Sequence, residues 1–261
     1  MSGFLSGFKA IFKKQIKDTL RNPASLMQFI IFPLIAFVIT LLMDFEAQAE
    51  SMAALIPYDV DIYAIAADMV ANMPNLTTMQ ATIFAGMGLI PVVSGIIVED
   101  VERKSLRFLK MAGLKPSSYL LGIGGVILFY SFFSSVAFSL IGEFRGLDFW
   151  VFLASMMSGV AASIVLGATF GVMSTNAQAS AGVAMPVAMI LGFGPLVAQF
   201  NDSVARGLHF TFTQQLNVVA DYLNTGISDT SLWESFAIIW ANVAVLSVLF
   251  AIVYTKKGLK D

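Results

Sequence analysis

Five stretches of this chain contain no Asp, Glu, Lys or Arg, and they are 21 to 53 residues long. A helix that crosses the hydrocarbon core of a bilayer needs about 20 apolar residues, and an ion placed there costs roughly 2.5 to 3.5 kcal/mol. The whole chain is 57% hydrophobic and 12% charged, whereas soluble domains average roughly 25% charged residues. The uncharged stretches are residues 22–43, 69–98, 116–142, 149–201 and 235–255.

The longest stretch has room for two spans, with a polar turn at residues 174–178. We therefore predict an all-α, polytopic membrane protein with six transmembrane helices in a single transmembrane domain over residues 1–261. Residues 1–22 carry apolar and basic residues on opposite faces, which predicts an amphipathic helix at the membrane interface. The predicted spans are about residues 25–43, 79–98, 119–141, 149–173, 182–200 and 233–254.

Lysine and arginine predict the orientation, because cytoplasmic segments carry an excess of both. Thirteen of the fifteen basic residues lie before span one, between spans two and three, or after span six, and only Arg145 and Arg206 lie on the opposite side. Both termini are therefore predicted to be cytoplasmic, in a multi-pass protein of the plasma membrane.

Two other segments outside the spans show a pattern. Residues 44–68 are acidic and contain no basic residue, and apolar positions there and just beyond recur at helical spacing, which predicts partial contact with the outer surface. Between spans five and six, Leu216, Val219 and Leu223 form an apolar stripe that stops at Gly226, which predicts short external helices.

Span five contains several residues that disfavour a straight helix. They are Pro186, Gly192, Gly194 and Pro195. We therefore predict that span five bends or breaks near its outer end.

The spans lack the groups that intramembrane chemistry uses. No acid, base or histidine lies inside a predicted span, which argues against a proton-driven carrier and a membrane protease. The chain has no cysteine, one histidine, His209, and no GxxxxGK[ST] loop for nucleotide phosphates. We expect no catalytic, metal or cofactor site on this chain and no nucleic-acid partner, so energy for uphill transport would have to enter from outside.

The charged segment between spans two and three, residues 99–118, is the best entry point. We predict a helix over about residues 98–112, with i,i+4 pairs Glu99–Arg103 and Asp100–Lys104 on one side and Phe108 and Leu109 on the other. A charged helix with an apolar face needs a surface to bind, and the residues leave open whether this is another protein or the membrane.

The sequence of this loop resembles a known family. Residues 102–109, Glu-Arg-Lys-Ser-Leu-Arg-Phe-Leu, followed by Gly-Leu-Lys-Pro-Ser-Ser at 113–118 and Leu121-Gly122, are similar to the first cytoplasmic loop of ABC-2 type transporter permeases. Lys104-Ser105 stands where that family usually has Gly-Thr. The basic helix that ends in Arg21-Asn22-Pro23 also resembles the family's N-terminal segment.

The resemblance implies the membrane subunit of an ATP-driven transporter, an exporter, that pairs with a second permease subunit, identical or not. ATP and Mg would bind a separate ATPase that docks on residues 99–118. The expected coupling contacts are Glu99, Asp100, Glu102, Arg103, Lys104, Arg107, Phe108 and Leu109.

Two alternatives stay open from the residues: a stand-alone ion-driven carrier or channel, and a membrane sensor or immunity protein that moves nothing. The spans are rich in Phe, Met, Ala and Gly, which favours an amphipathic or apolar cargo such as a drug, peptide or lipid.

Overall fold

The computed structural model describes residues 2–21, 23–42, 76–105, 111, 116–226 and 230–257. The described residues form helices and connecting turns and contain no β-strand. In chain order the helices are α1 (Ser2–Arg21), α2 (Pro23–Leu42), α3 (Leu76–Ile83), α4 (Leu89–Glu102), α5 (Pro116–Ile141), α6 (Leu147–Met173), α7 (Ala177–Ala198), α8 (Asp202–Leu208), α9 (Phe212–Thr225) and α10 (Leu232–Lys257).

Five of the described helical segments are long and apolar enough to cross a membrane. They are Thr77–Glu102, Ser117–Ile141, Leu147–Met173, Ala177–Ala198 and Leu232–Lys256. Each coincides with a predicted span to within a few residues, so the predicted all-helical fold, with apolar helices long enough to cross a membrane, is confirmed for the described residues. The helix at the position of predicted span one, α2, has a shorter apolar stretch, Leu26–Leu42.

The second predicted span is a composite of α3, one π-helical turn at Phe84–Gly88, and α4. Pro91 lies just beyond this turn. Because proline has no N–H, it leaves the carbonyl four residues before it without its usual helical partner. In the π turn that precedes Pro91, the N–H of Leu89 bonds the carbonyl of Phe84, five residues earlier.

Helix α6 holds this composite span by offering small residues at the contact. A methyl group on Gly167 would lie 2.6 Å from the carbonyl oxygen of Ile90, and one on Gly171 would lie 2.7 Å from that of Ser94. Both distances are too short for any side chain, so the backbones of α4 and α6 meet directly. The two glycines predict close approach of another helix, and that helix belongs to the same chain.

Helix α7 is continuous through Pro186 and Pro195 to Ala198. Of the predicted bend or break in span five, a break is therefore wrong, and a bend stays a prediction. Membrane helices tolerate proline where neighbouring groups satisfy the freed backbone. Gly194 also makes room at this point, since a methyl group there would lie 2.6 Å from Leu208 of α8.

Two short helices, α8 and α9, follow α7 in the region where the sequence predicts short helices. The predicted stripe is confirmed because Leu216 and Val219 are buried and Leu223 packs against the core. Helix α9 ends at Gly226, which adopts φ +71° and bonds the carbonyl of Tyr222. The acidic segment 44–68 lies outside the described residues.

The two ends of the helix bundle are distinguished by the contacts that the helix termini make there. At the loop end, the end of α4 meets α1, the first turn of α5 and the turn between α6 and α7. At the far end, Thr40 of α2 contacts Thr77 of α3 at 3.3 Å, and Asn224 of α9 contacts Thr78 at 3.4 Å. The charged segment after α4 therefore begins where the ends of several helices converge.

Candidate functional site

Asp100 lies in the last turn of α4 and is 8% exposed. Its Oδ1 accepts hydrogen bonds from Lys14 Nζ at 3.1 Å and from Ser105 Oγ at 2.7 Å, and its Oδ2 accepts one from Tyr119 Oη at 2.9 Å. A buried carboxylate is costly unless donors and an opposite charge compensate it. Asp100 has three donors, and one of them is a cation.

The donors to Asp100 come from separate parts of the chain. Lys14 is on α1, Ser105 follows the turn after α4, and Tyr119 is in the first turn of α5. The ring of Tyr119 also lies 5.8 Å from the ring of Tyr254, near the end of α10. One carboxylate and its neighbours thus connect four helices. Among the described residues, the Lys14–Asp100 ion pair is the only one that joins two helices.

Glu102, two residues later, makes a second connection. Its Oε1 accepts a hydrogen bond from the backbone N–H of Ala177, the first residue of α7, at 2.6 Å. Asn176 completes the start of that helix by accepting from the N–H of Ala179 at 2.8 Å. A carboxylate at a helix N-terminus is favoured because the first N–H groups lack helical partners and the helix dipole is positive there.

The helix predicted over residues 98–112 is interrupted, which corrects the prediction. Helix α4 ends at Glu102, and a turn follows in which Lys104 has φ +56°. Ser105 Oγ bonds both the backbone oxygen and the carboxylate of Asp100, a local side-chain alternative to another helical turn. The predicted Asp100–Lys104 pair is also wrong, since Asp100 pairs with Lys14 on α1 instead.

The remaining described charges at this turn point outward. Glu99 and Arg103 form the predicted i,i+4 pair at 2.5 Å, and their side chains are 54% and 73% exposed. Lys104 is exposed as well. An exposed ion pair is worth about 0 to 1 kcal/mol, so these groups can exchange partners at little cost. Arg107, Phe108 and Leu109 lie outside the described residues.

Helix α1 packs against the start of α5. Ile11 is buried, and a methyl group on Gly122 would lie 2.6 Å from its side chain. A methyl group on Gly125 would lie 3.2 Å from the ring of Phe12, which stacks with Phe8 at 5.5 Å. Part of the apolar face that the sequence assigns to the membrane interface therefore contacts the bundle itself, and this contact brings Lys14 to Asp100.

The structure describes five of the eight predicted coupling residues and adds partners that sequence reasoning missed. Glu99, Arg103 and Lys104 are exposed and bond no other described helix, whereas the buried Asp100 and the exposed Glu102 bond other helices. The sequence does not distinguish Lys14 from the other lysines of α1, and it marks Tyr119 only as the start of a span. No sequence signal singled out Asp100, because Glu99, and not Asp100, directly follows the apolar stretch 69–98.

Charges are confined to the ends of the five long apolar segments, and none of their middles contains Asp, Glu, Lys or Arg. In the part of the chain that the structure describes, no three His, Cys, Asp or Glu residues are grouped to hold a metal ion. Comparison with protein-family models and with curated proteins finds no match to this sequence.

Proposed function

We propose that this chain is the membrane subunit of an ATP-driven transporter of the ABC-2 type, an exporter, with a separate ATPase that docks on residues 99–118. The observation that carries the proposal is the arrangement after α4. Exposed charged side chains with weak mutual contacts lie beside Asp100 and Glu102, which bond the end of α4 to α1, α5 and α7. A loop that transmits a partner's force needs an exposed surface for the partner and firm contacts with the rest of the bundle.

The backbone at Lys104 supports the family resemblance. Its φ of +56° is a conformation that glycine adopts readily and other residues rarely do. ABC-2 loops usually have glycine at this position and threonine at the next. Ser105 stands at the threonine position and uses its hydroxyl to bond Asp100, which a threonine hydroxyl could do equally.

The proposed topology has six spans with both termini in the cytoplasm, in the plasma membrane. Helix α2 supplies the sixth span, since 20 residues at 1.5 Å each extend about 30 Å, the thickness of the hydrocarbon core. The loop end then faces the cytoplasm, where an ATPase would be found. A second permease subunit, identical or different, would complete the transporter, and ATP and Mg would bind the ATPase.

The contacts also indicate what an ATPase would move. Asp100 connects the end of α4 to α1 and α5, and Glu102 connects it to α7. A force on the loop would therefore displace these four helix ends together, instead of tilting α4 alone. The apolar composition of the spans favours an amphipathic or apolar cargo such as a drug, peptide or lipid.

Charge reversal on the loop tests the proposal. The chain is purified with its native partners, and the ATPase subunit and its ATP hydrolysis are measured. We expect wild type to retain an ATPase, and Arg103→Glu with Arg107→Glu to lose it while membrane insertion stays normal. Arg145→Glu with Arg206→Glu is the matched control, because it reverses two basic residues that are not on the loop, and it should behave as wild type.

Two outcomes would overturn the proposal. One is a normal amount of ATPase and of ATP hydrolysis with the loop variant. The other is cargo transport by the purified chain alone in vesicles without ATP, which would establish a stand-alone carrier or channel. A sensor or immunity protein would show no cargo-stimulated hydrolysis.

A further inference from the structure

The lysines of α1 divide into two groups that the sequence does not distinguish. Lys14 donates to Asp100, although its own side chain is half exposed. Lys9, Lys13 and Lys17 are exposed, and they recur every fourth residue. Positions four apart on a helix lie almost above one another, so these three ammonium groups form one stripe on the side of α1 that faces away from the bundle.

Exposed apolar side chains accompany this stripe. Leu20 is 59% exposed and falls between Lys9 and Lys13 on the helical wheel. Helix α2 follows directly, and it exposes Met27 and Ile30 near its start. The lysine stripe therefore has an exposed apolar neighbour on α1, and the next helix also exposes apolar side chains near its start.

We propose that the outward face of α1, with Lys9, Lys13 and Lys17, binds the headgroups of anionic phospholipids. The charges are complementary, and the adjoining exposed leucine fits the boundary between headgroups and acyl chains, as in amphipathic helices that lie in this region. Lysine stems can cover apolar surface while their ammonium groups reach the phosphates. Asp18 is the one acid exposed on the described part of the helix.

The surface of α1 that Ile11 and Lys14 use is already occupied by the bundle, so lipid binding and the Asp100 contact do not compete. The bundle contacts α1 through Ile11 and Lys14, and the lipid would contact it through Lys9, Lys13 and Lys17. The inference depends on the chain lying in a membrane and does not depend on an ATPase.

Lipid titration of the purified full chain in neutral detergent tests the proposal. Phosphatidylglycerol or phosphatidylcholine is added, and bound lipid is counted by native mass spectrometry. Each basic residue near an anionic surface contributes about 1 kcal/mol, so three lysines should favour phosphatidylglycerol by roughly tenfold or more at low salt. Lys9→Gln with Lys13→Gln and Lys17→Gln should lose most of this preference, and arginine at the three positions should keep it.

Matched controls separate the possible results. Arg145→Gln with Arg206→Gln removes exposed charges outside α1 and should bind phosphatidylglycerol as wild type does. Circular dichroism checks that each variant is folded. Unchanged phosphatidylglycerol preference in the folded triple glutamine variant would overturn the proposal. Equal competition by free glycerol phosphate would also overturn it, because the stripe would then bind a soluble anion and not a lipid.

Discussion

The two ends of the bundle hold their helices by different chemistry. At the loop end, the contacts are charge-assisted: Asp100 accepts from Lys14 and Tyr119, and Glu102 accepts from the N–H of Ala177, at 2.6 to 3.1 Å. Hydrogen bonds to ionised groups are shorter and roughly twice as strong as neutral ones.

At the far end, several connections between the described helices are made by neutral amides and hydroxyls. The contacts Thr40–Thr77, Gln199–Asn217 and Asn224–Thr78 measure 3.3 to 3.4 Å, near the upper limit for a hydrogen bond. The one carboxylate of α9, Asp221, is half-buried and accepts from Asn217 at 3.0 Å, its neighbour on the same helix. The difference between these contacts indicates that the loop end has the stronger polar connections of the two.

Removal of Asp100 should have the largest effect on stability. In Asp100→Ala, the ammonium of Lys14 and the hydroxyls of Ser105 and Tyr119 lose their shared acceptor. Loss of one partner of a buried, charge-assisted network costs about 2 to 4 kcal/mol, with some relief because Lys14 is half exposed. Thermal unfolding in detergent measures this as a lower midpoint. Glu99→Ala, in the exposed pair beside it, should change the midpoint little, and equal losses in the two variants would remove the contrast between the buried carboxylate and the exposed pair.

Neutralisation of Asp221 tests the contrast between the two ends of the bundle through the pH dependence of protein stability. Burial raises the pKa of the Asp221 carboxyl from 3.8 to about 6, so the folded protein binds the proton more tightly than the unfolded chain. The stabilisation from this protonated group is complete below about pH 4 and is lost as the pH rises through about 6, which costs at most about 3 kcal/mol.

Asp221→Asn cannot ionise and keeps the acceptor for Asn217, so it should be more stable than wild type near pH 7.5 and no more stable near pH 4. Unfolding midpoints at the two pH values check this, with Asp202→Asn, at an exposed carboxylate, as the control. Parallel pH profiles for wild type and Asp221→Asn would show that the far-end carboxylate is not desolvated.

The smallest effect is expected at the turn itself. Lys104→Gly replaces a residue at φ +56° by the one residue that adopts this angle freely, and it should stabilise the protein by about 0.5 to 1 kcal/mol. A matched substitution, Arg103→Gly, is at φ −74° and should destabilise or leave stability unchanged. The same fall in unfolding midpoint for both variants would show that the turn is not strained.

Several features could be predicted from local sequence because their cause is local. The five long apolar helices follow from the exclusion of charge from hydrocarbon, and the end of α9 follows from a glycine after an apolar stripe. A break in span five was wrong because a proline inside a helix removes one hydrogen bond and need not end a helix that crosses a membrane. The predicted loop helix was wrong because the hydroxyl of Ser105 bonds Asp100 in a turn. The predicted Asp100–Lys104 pair was wrong because Lys14 of another helix pairs with this carboxylate, whereas the i,i+4 rule counts only partners on one helix.

The sequence by itself determined where apolar helices run and that their charges gather at the ends, since burying an ion in hydrocarbon is costly whatever the fold. Only the tertiary structure decided which charges meet. Lys14 and Asp100 are 86 positions apart, and nothing in the spacing distinguishes Lys14 from Lys13 or Lys17. The packing of α1 on the glycines of α5 sets its rotation, and that rotation brings the half-exposed Lys14 within reach of the carboxylate and leaves Lys9, Lys13 and Lys17 on the surface.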